Sequence, residues 1–186
     1  AVTSSWLEYN FTGSVRFVFQ PGEEVTAMGK DLVNAGALLD PEPNLVCALH
    51  GNNNLPVGTI SSKPGTIMAA SGMFTIYIKG KGGHGSMPHE TINPLTTACR
   101  IVGMLQTIPS ELMDAHQPVV VSVCRINSGT NSNIIPDTAV IEGTFRFLDK
   151  ETGDKIPNLI QQITKGICAS FYAGYDFEYH IPYIPT

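Results

Sequence analysis

The sequence predicts an α/β chain in two parts: a strand–helix–strand crossover unit toward the amino terminus, followed by a complete βαββαβ domain. Three observations predict this. "FQPGEE" and "CALHG" each close a short apolar run, with a helical pattern between them. From Ser71 onward, runs rich in branched and aromatic residues recur at strand spacing. Two apolar stripes of helical period fall between those runs, which sets the element order.

"GSVRFVFQP" reads as a strand because Val15, Phe17 and Phe19 alternate with Arg16 and Val18, and Pro21 ends it by removing a ladder donor. "AMGKDLVNAGALLD" places Met28, Leu32, Val33 and Ala35 at near-helical spacing, with Gly36 as the carboxyl-terminal stop. "NLVCALHG" is a nearly continuous apolar run of the kind buried in a parallel sheet. Functional residues of such a unit belong at the carboxyl ends of its strands. One crossover unit cannot cover both faces of a parallel sheet, so this part is expected to expose apolar surface unless other chain covers it.

The second part runs from residue 71 to about 181. "GMFTIYIKG" turns Phe74, Ile76 and Ile78 inward, and "NPLTTACRIVGMLQTI" puts Leu95, Ala98, Cys99, Val102 and Leu105 on one helical face. "PVVVSVCRI" and "TAVIEGTFRFLD" are the next strands. "DKIPNLIQQITKGICASF" carries Ile156, Leu159, Ile160, Ile163 and Ile167 on one stripe, with Pro157 placed in the first helical turn. "YDFEYHI" closes the domain as a strand. This order is the ferredoxin-like one, a four-stranded antiparallel sheet with two helices on one face.

Composition bounds the function. With 186 residues, 42% of them hydrophobic and 15% charged, the chain can bury a real core. A formal net charge of -5 gives no reason to expect nucleic acid or an anionic membrane as partner. Cys47, Cys99, Cys124 and Cys168 are spread singly and are read as reduced core residues. No apolar run approaches a membrane span, and "AVTSSWLEYN" lacks the pattern of a secretion signal, so a soluble, cytoplasmic chain is expected.

Chemistry centres on Glu23 and Glu24, which can converge in the turn just past a strand end. Two close carboxylates repel unless a cation or a shared proton resolves the conflict. Read alone, the pair is more often a solvated loop edge. His50 ends the second strand of the same unit, and carboxylate plus imidazole is ordinary ligation for zinc, manganese or cobalt. A single histidine closing an apolar strand is, by itself, more often structural. Gly80, Gly82 and Gly83 do not make a phosphate loop, because no helix opens directly after them and the lysine spacing is wrong.

"GSVRFVFQPGEE", "CALHGNNNLPVGTI", "GTIMAASGMFTIYIKGKGGHGSMPH", "NSNIIPD" and "IEGTFRF" together resemble consecutive blocks of the metal-dependent aminoacylase and carboxypeptidase family. The resemblance lies in its branch of hippurate hydrolases, N-acyl-amino-acid amidohydrolases and auxin-conjugate hydrolases, and runs from about Phe11 to the end. It implies part of a metallopeptidase-type α/β catalytic domain over 1–70, a ferredoxin-like lid and dimerisation domain over 71–181, and a return toward the catalytic domain over 182–186. It implies hydrolysis of the amide bond of an N-acyl amino acid or a peptide-like substrate, two divalent ions, zinc or manganese, in the complete site, and a homodimer formed through the lid.

The resemblance also assigns roles. Glu23 would be the general base for the attacking water, with Glu24 and His50 as metal ligands. His84, in "GKGGHGSMPH", would stabilise the developing oxyanion, often in the partner subunit's site. Asn133 and Arg146 match positions that hold the substrate carboxylate, a role suited to the planar guanidinium fork. Read without it, Arg146 is a strand arginine pairing with Glu142 or Asp149, Asn131 and Asn133 are turn residues before Pro136, and His89 is structural.

The family's upstream His-Asp block and its terminal histidine ligand are not found in the sequence. A piece of a longer enzyme, or a truncated product without catalysis of its own, is therefore expected, and this chain alone should bind metal weakly or not at all. The competing reading is a non-catalytic homodimerisation or small-molecule-binding module derived from that family.

Overall fold

Four of the period-two runs become the long strands of one antiparallel sheet. In the computed structural model, which describes residues 12–22 and 28–186, the elements are α1 (Gly29–Asn34), β1 (Ala70–Lys79), β2 (Gly83–His84), α2 (Pro94–Leu105), β3 (Val120–Ser128), β4 (Ile134–Ile135), β5 (Thr138–Phe147), α3 (Lys150–Ser170) and β6 (Gly174–Tyr183). The sheet order is β3-β5-β1-β6, and β2 pairs with β4 in a second, two-stranded sheet. This is the expected ferredoxin-like topology with a short ribbon added. Among the described residues no helix is long and apolar enough to cross a membrane.

The core lies between the sheet and the two long helices. Phe74, Ile76 and Ile78 from β1, and Ile141, Phe145 and Phe147 from β5, meet Ile101 and Leu105 of α2 and Ile156 and Ile160 of α3. Each buried aliphatic side chain contributes about 1.5–3 kcal/mol of transfer free energy. The alternate residues of β1, among them Met73, Tyr77 and Lys79, face away from the helices and are exposed. One face of the sheet is thus packed and the other is open.

Both long helices are capped at their starts. Asn93 Oδ1 accepts from the N–H groups of Leu95 (3.0 Å) and Thr96 (3.2 Å), and Pro94 occupies the first turn, where no N–H is needed. Asp149 caps α3: Oδ1 accepts from Thr152 N–H at 2.9 Å and Oδ2 from the Thr152 hydroxyl at 2.6 Å. The Thr152 hydroxyl first, and then its N–H, hold the Asp149 carboxyl below the usual carboxylate range. A depressed folded-state pKa means stabilisation that is present above the unfolded value and lost as pH falls through the folded one. Asp149→Ala is therefore expected to cost about 1 kcal/mol at neutral pH. The difference from wild type should shrink below about pH 4, which urea unfolding at both pH values checks.

Pro157 is not in the first turn, because α3 begins at Lys150 and Pro157 is buried inside the helix. Proline lacks an N–H and its ring crowds the preceding turn, so the Gly153 carbonyl loses its usual partner. The buried face of α2 is Thr97, Ala98, Ile101 and Leu105, whereas Leu95 and Cys99 are exposed. Of the cysteines only Cys168 is buried, and burial pushes its thiol pKa up; Cys47, Cys99 and Cys124 are exposed and all four are free.

The chain divides into two compact units, Ala1–Asn53 and Asn54–Thr186. In the first, the expected helix forms as α1 and ends at Gly36, whose φ of +91° is a left-handed value that suits glycine. Arg16 donates to the carbonyls of Ala37 (2.9 Å), Leu39 (2.7 Å) and Asp40 (2.8 Å), fastening the first segment to the turn after α1. The two expected strands of this unit are not formed among the described residues. Phe19 is 87% exposed and Leu49 90% exposed, so the apolar runs have no layer against which a ladder would be stabilised.

Candidate functional site

The glycines before His84 are there for close backbone approach. A Cβ on Gly80 would sit 2.2 Å from the Ile92 carbonyl oxygen, and one on Gly82 would sit 2.7 Å from that of Ile135. The segment is thereby threaded between two others. Lys81 and Ile92 exchange backbone hydrogen bonds of 2.9 Å, Gly80 N–H donates to Asp137 O at 2.7 Å, and Gly82 N–H donates to Asp137 Oδ1 at 2.8 Å. This tethering delivers His84 into the β2–β4 ribbon, opposite Ile134.

His84 and Asn133 are brought together. Gly85 N–H donates to Asn133 O at 2.8 Å, so the histidine turn and the asparagine turn share a hydrogen bond. The Asn133 carboxamide is exposed and makes no hydrogen bond among the described residues. His84 Nδ1 lies 3.2 Å from Ser86 N and 2.8 Å from Ser86 Oγ. A backbone N–H can only donate, so Nδ1 accepts and the neutral ring carries its proton on Nε2.

Arg146 is placed elsewhere. It stands on the open face of β5, opposite Ser71 of β1 and Val120 of β3, while the start of β5 at Thr138 lies next to the His84 segment. Thr138 to Arg146 is eight residue steps along one strand, or about 27 Å at the roughly 3.4 Å per residue of an antiparallel strand. Its guanidinium donates to Thr144 Oγ1 and, at 3.0 Å, to Phe145 O. Glu142 is taken by Arg125, and Asp149 caps α3. Among the described residues Arg146 therefore has no carboxylate partner, and the alternative of a paired strand arginine is not what the structure shows.

Glu23 and Glu24 lie outside the described residues. His50 is exposed, and its Nδ1 lies 2.8 Å from Gly51 O. That carbonyl can only accept, so Nδ1 carries the proton and Nε2 presents a lone pair. A ring held this way suits a divalent cation. Among the described residues, however, no group of three or more His, Cys, Asp or Glu side chains could hold a metal ion. His50 is one fitting donor of a set that these residues do not complete.

Of the expected site residues, then, the structure brings His84 and Asn133 together, sets Arg146 at the far end of β5, and shows His50 in a ligand-competent tautomer. Ser86, Asp137 and Thr144, which contact these groups or their backbone, were not anticipated. The sequence signal for Asp137 was present, since it ends "NSNIIPD".

The sequence-family profile described as "Peptidase dimerisation domain" matches residues 69–170. The chain belongs to the M20 peptidase family, of which this is the dimerisation domain. Among its relatives are an N-acetylcysteine deacetylase of Bacillus subtilis, 41% identical over 94% of this chain and 45% of that protein, and an N-acyl-L-amino acid amidohydrolase of Geobacillus stearothermophilus, 36% identical over 98% of this chain and 49% of that protein. A Bacillus subtilis crystal structure described as a dinuclear metal binding peptidase from the M20 family superposes with a TM-score of 0.70 at 35% identity, over 94% of this chain and 42% of that one. The chain thus spans about half the length of the curated relatives it matches. The expected fold class, a mixed α/β chain with a ferredoxin-like dimerisation domain, is shown by these matches.

Proposed function

We propose that the full-length protein hydrolyses the amide bond of N-acyl amino acids or related small amides, with a divalent cation, zinc or manganese, and as a homodimer. The observation that carries this reading is the separation along one strand: a histidine turn with its Nε2–H on the exposed edge at one end, and at the other an arginine that has no carboxylate partner among the described residues. A small substrate cannot bridge about 27 Å. Two copies can.

The edge strand β3 borders β5, the strand of Arg146. If two β3 strands pair antiparallel about a twofold axis, the Ser128 end of one copy, beside the Asn133 turn, meets the Val120 end of its partner, beside Arg146. The active site in this reading takes His84 and Asn133 from one copy and Arg146 from the other. The domain is also built like an insertion: Thr186 N–H donates to Met68 O at 3.0 Å, and Ile67 N–H to Thr186 O at 2.7 Å, so its two ends leave side by side. That supports residues 71–181 as a lid, with 1–70 and the residues after 181 in the catalytic domain.

By the family resemblance Glu24 and His50 would hold the cation, which when bound supplies Lewis acidity at the scissile amide. Glu23 would take the proton of the attacking water and pass it to the leaving nitrogen. His84 Nε2–H would donate to the carbonyl oxygen as it becomes an oxyanion. Arg146 would hold the substrate carboxylate through paired N–H donors, assisted by Asn133.

Complementation tests the composite site. His84→Ala and Arg146→Ala proteins, each inactive alone, should on mixing regain about a quarter of wild-type turnover, because half the dimers are hybrids with one intact site. No regain, with hybrids demonstrated, would put both residues in one copy's site and end this arrangement. The 186-residue chain by itself is expected to show no measurable turnover and weak metal binding, checked by deacylation assay and metal analysis; robust hydrolysis would overturn that. The competing reading, a dimerising or ligand-binding module without chemistry, is favoured by the self-contained core of the second unit. It predicts dimers and no turnover in the full-length protein as well.

A further inference from the structure

Resting on the role proposed above for His84, we propose that Ser86 is a positioning residue that fixes the tautomer and the ring orientation of that histidine. Ser86 offers two donors to one acceptor. Its hydroxyl lies 2.8 Å from His84 Nδ1 and its backbone N–H is directed at the same nitrogen from 3.2 Å. Because the N–H is an obligatory donor, the nitrogen it meets must be the unprotonated one, and the hydroxyl then donates as well. The proton is left on Nε2, on the opposite side of the ring.

The backbone that presents these donors is itself held. Met87 N–H donates to His84 O at 2.9 Å, closing a tight turn over Gly85 and Ser86, and Gly85 N–H is bound to Asn133 O at 2.8 Å. Rotating the imidazole half a turn about its Cβ–Cγ bond would carry Nδ1 away and leave both Ser86 donors without their acceptor. The contact therefore selects orientation as well as tautomer.

Both matter for an oxyanion donor. With the proton on Nε2, the exposed edge of His84 offers an N–H to an oxygen that gains negative charge. The other tautomer would present a lone pair to that oxygen and oppose the charge. Ser86 touches neither substrate nor cation in this scheme and acts only through His84.

The test uses the full-length protein labelled with 15N-histidine, with nuclear magnetic resonance reading the protonated ring nitrogen of His84, beside kinetics on an N-acetyl amino acid. Wild type should show Nε2–H. Ser86→Ala keeps the backbone donor and loses the hydroxyl. It should weaken the preference, admitting some Nδ1–H ring that the remaining backbone donor still disfavours, and lower kcat roughly 2- to 10-fold, the effect of one neutral hydrogen bond, with little change in KM. Ser86→Thr retains a hydroxyl and should restore both readouts. An Nδ1–H ring in wild type, or a Ser86→Ala protein unchanged in both spectrum and kcat, would overturn the inference. His84→Ala separates the two claims. If it leaves turnover intact while the wild-type ring is Nε2–H, the oxyanion reading has failed and the Ser86 contact is structural only.

Discussion

His84→Ala is expected to lower kcat of the full-length protein by about 10²- to 10³-fold, the usual cost of removing one oxyanion donor. The prediction is sharp because the side chain carries no fold. Its pairing with Ile134 uses only the main chain, Gly85 and Met87 are held through backbone groups, and the ring is exposed. Alanine keeps all of these. The thermal midpoint should therefore stay within about 1–2 °C of wild type, since exposed substitutions away from caps and cores rarely exceed about 0.5 kcal/mol. Steady-state kinetics and calorimetry on one preparation check both halves. A loss of turnover matched by a fall in midpoint would assign His84 to structure, and a kcat within about threefold of wild type would remove it from the oxyanion role.

How much of this was legible in the sequence depends on the length scale of the signal. β1 alternates without interruption, so its inward set of Phe74, Ile76 and Ile78 was readable residue by residue. The face of α2 was not, because Thr97 is fully buried while Leu95 is exposed. The Thr97 hydroxyl donates to Asn93 O at 2.9 Å within its own helix, which satisfies it without a partner from the core. Thr164 does the same with Ile160 O at 2.8 Å. Threonines that satisfy themselves in this way are invisible to a reading in which polar means outward. The start of α3 was missed for a related reason: the Asp149 cap and buried Thr152 belong to a polar-looking stretch that carries no apolar stripe.

The candidate site divides along the same line. The meeting of His84 with Asn133 depends on β2 and β4, each two residues long, too short for any period to show. The resemblance to a family gave each residue a role and did not place the two side by side. The distance from Thr138 to Arg146, by contrast, follows from strand length alone, and it is what turns a set of matching motifs into a claim about two copies. In the first unit the apolar runs were read correctly as apolar. They are exposed and form no ladder because strand formation needs neighbours that the described residues of that unit do not supply.

Arg146 in turn depends on what lies behind it, and Phe145→Ala is expected to cost about 3–5 kcal/mol. Phe145 is fully buried, and its ring stacks on that of Phe147 at a centroid distance of 6.1 Å. The two rings lie over glycines: a Cβ on Gly72 would come within 2.2 Å of the Phe145 ring, and one on Gly153 within 2.3 Å of the Phe147 ring. Glycine at these places lets β1 and α3 approach the rings closely, so truncation leaves a void lined by backbone that has no side chain with which to refill it. Small domains are stable by about 5–15 kcal/mol, so the loss removes a large share of the total. Urea unfolding followed by far-ultraviolet circular dichroism measures it. A cost below about 1.5 kcal/mol would mean that the sheet and α3 close over the space, and that the glycines do not hold the rings in place. Gly72→Ala tests the same packing from the opposite side, since the added methyl must push the Phe145 ring and, with it, the strand that presents Arg146.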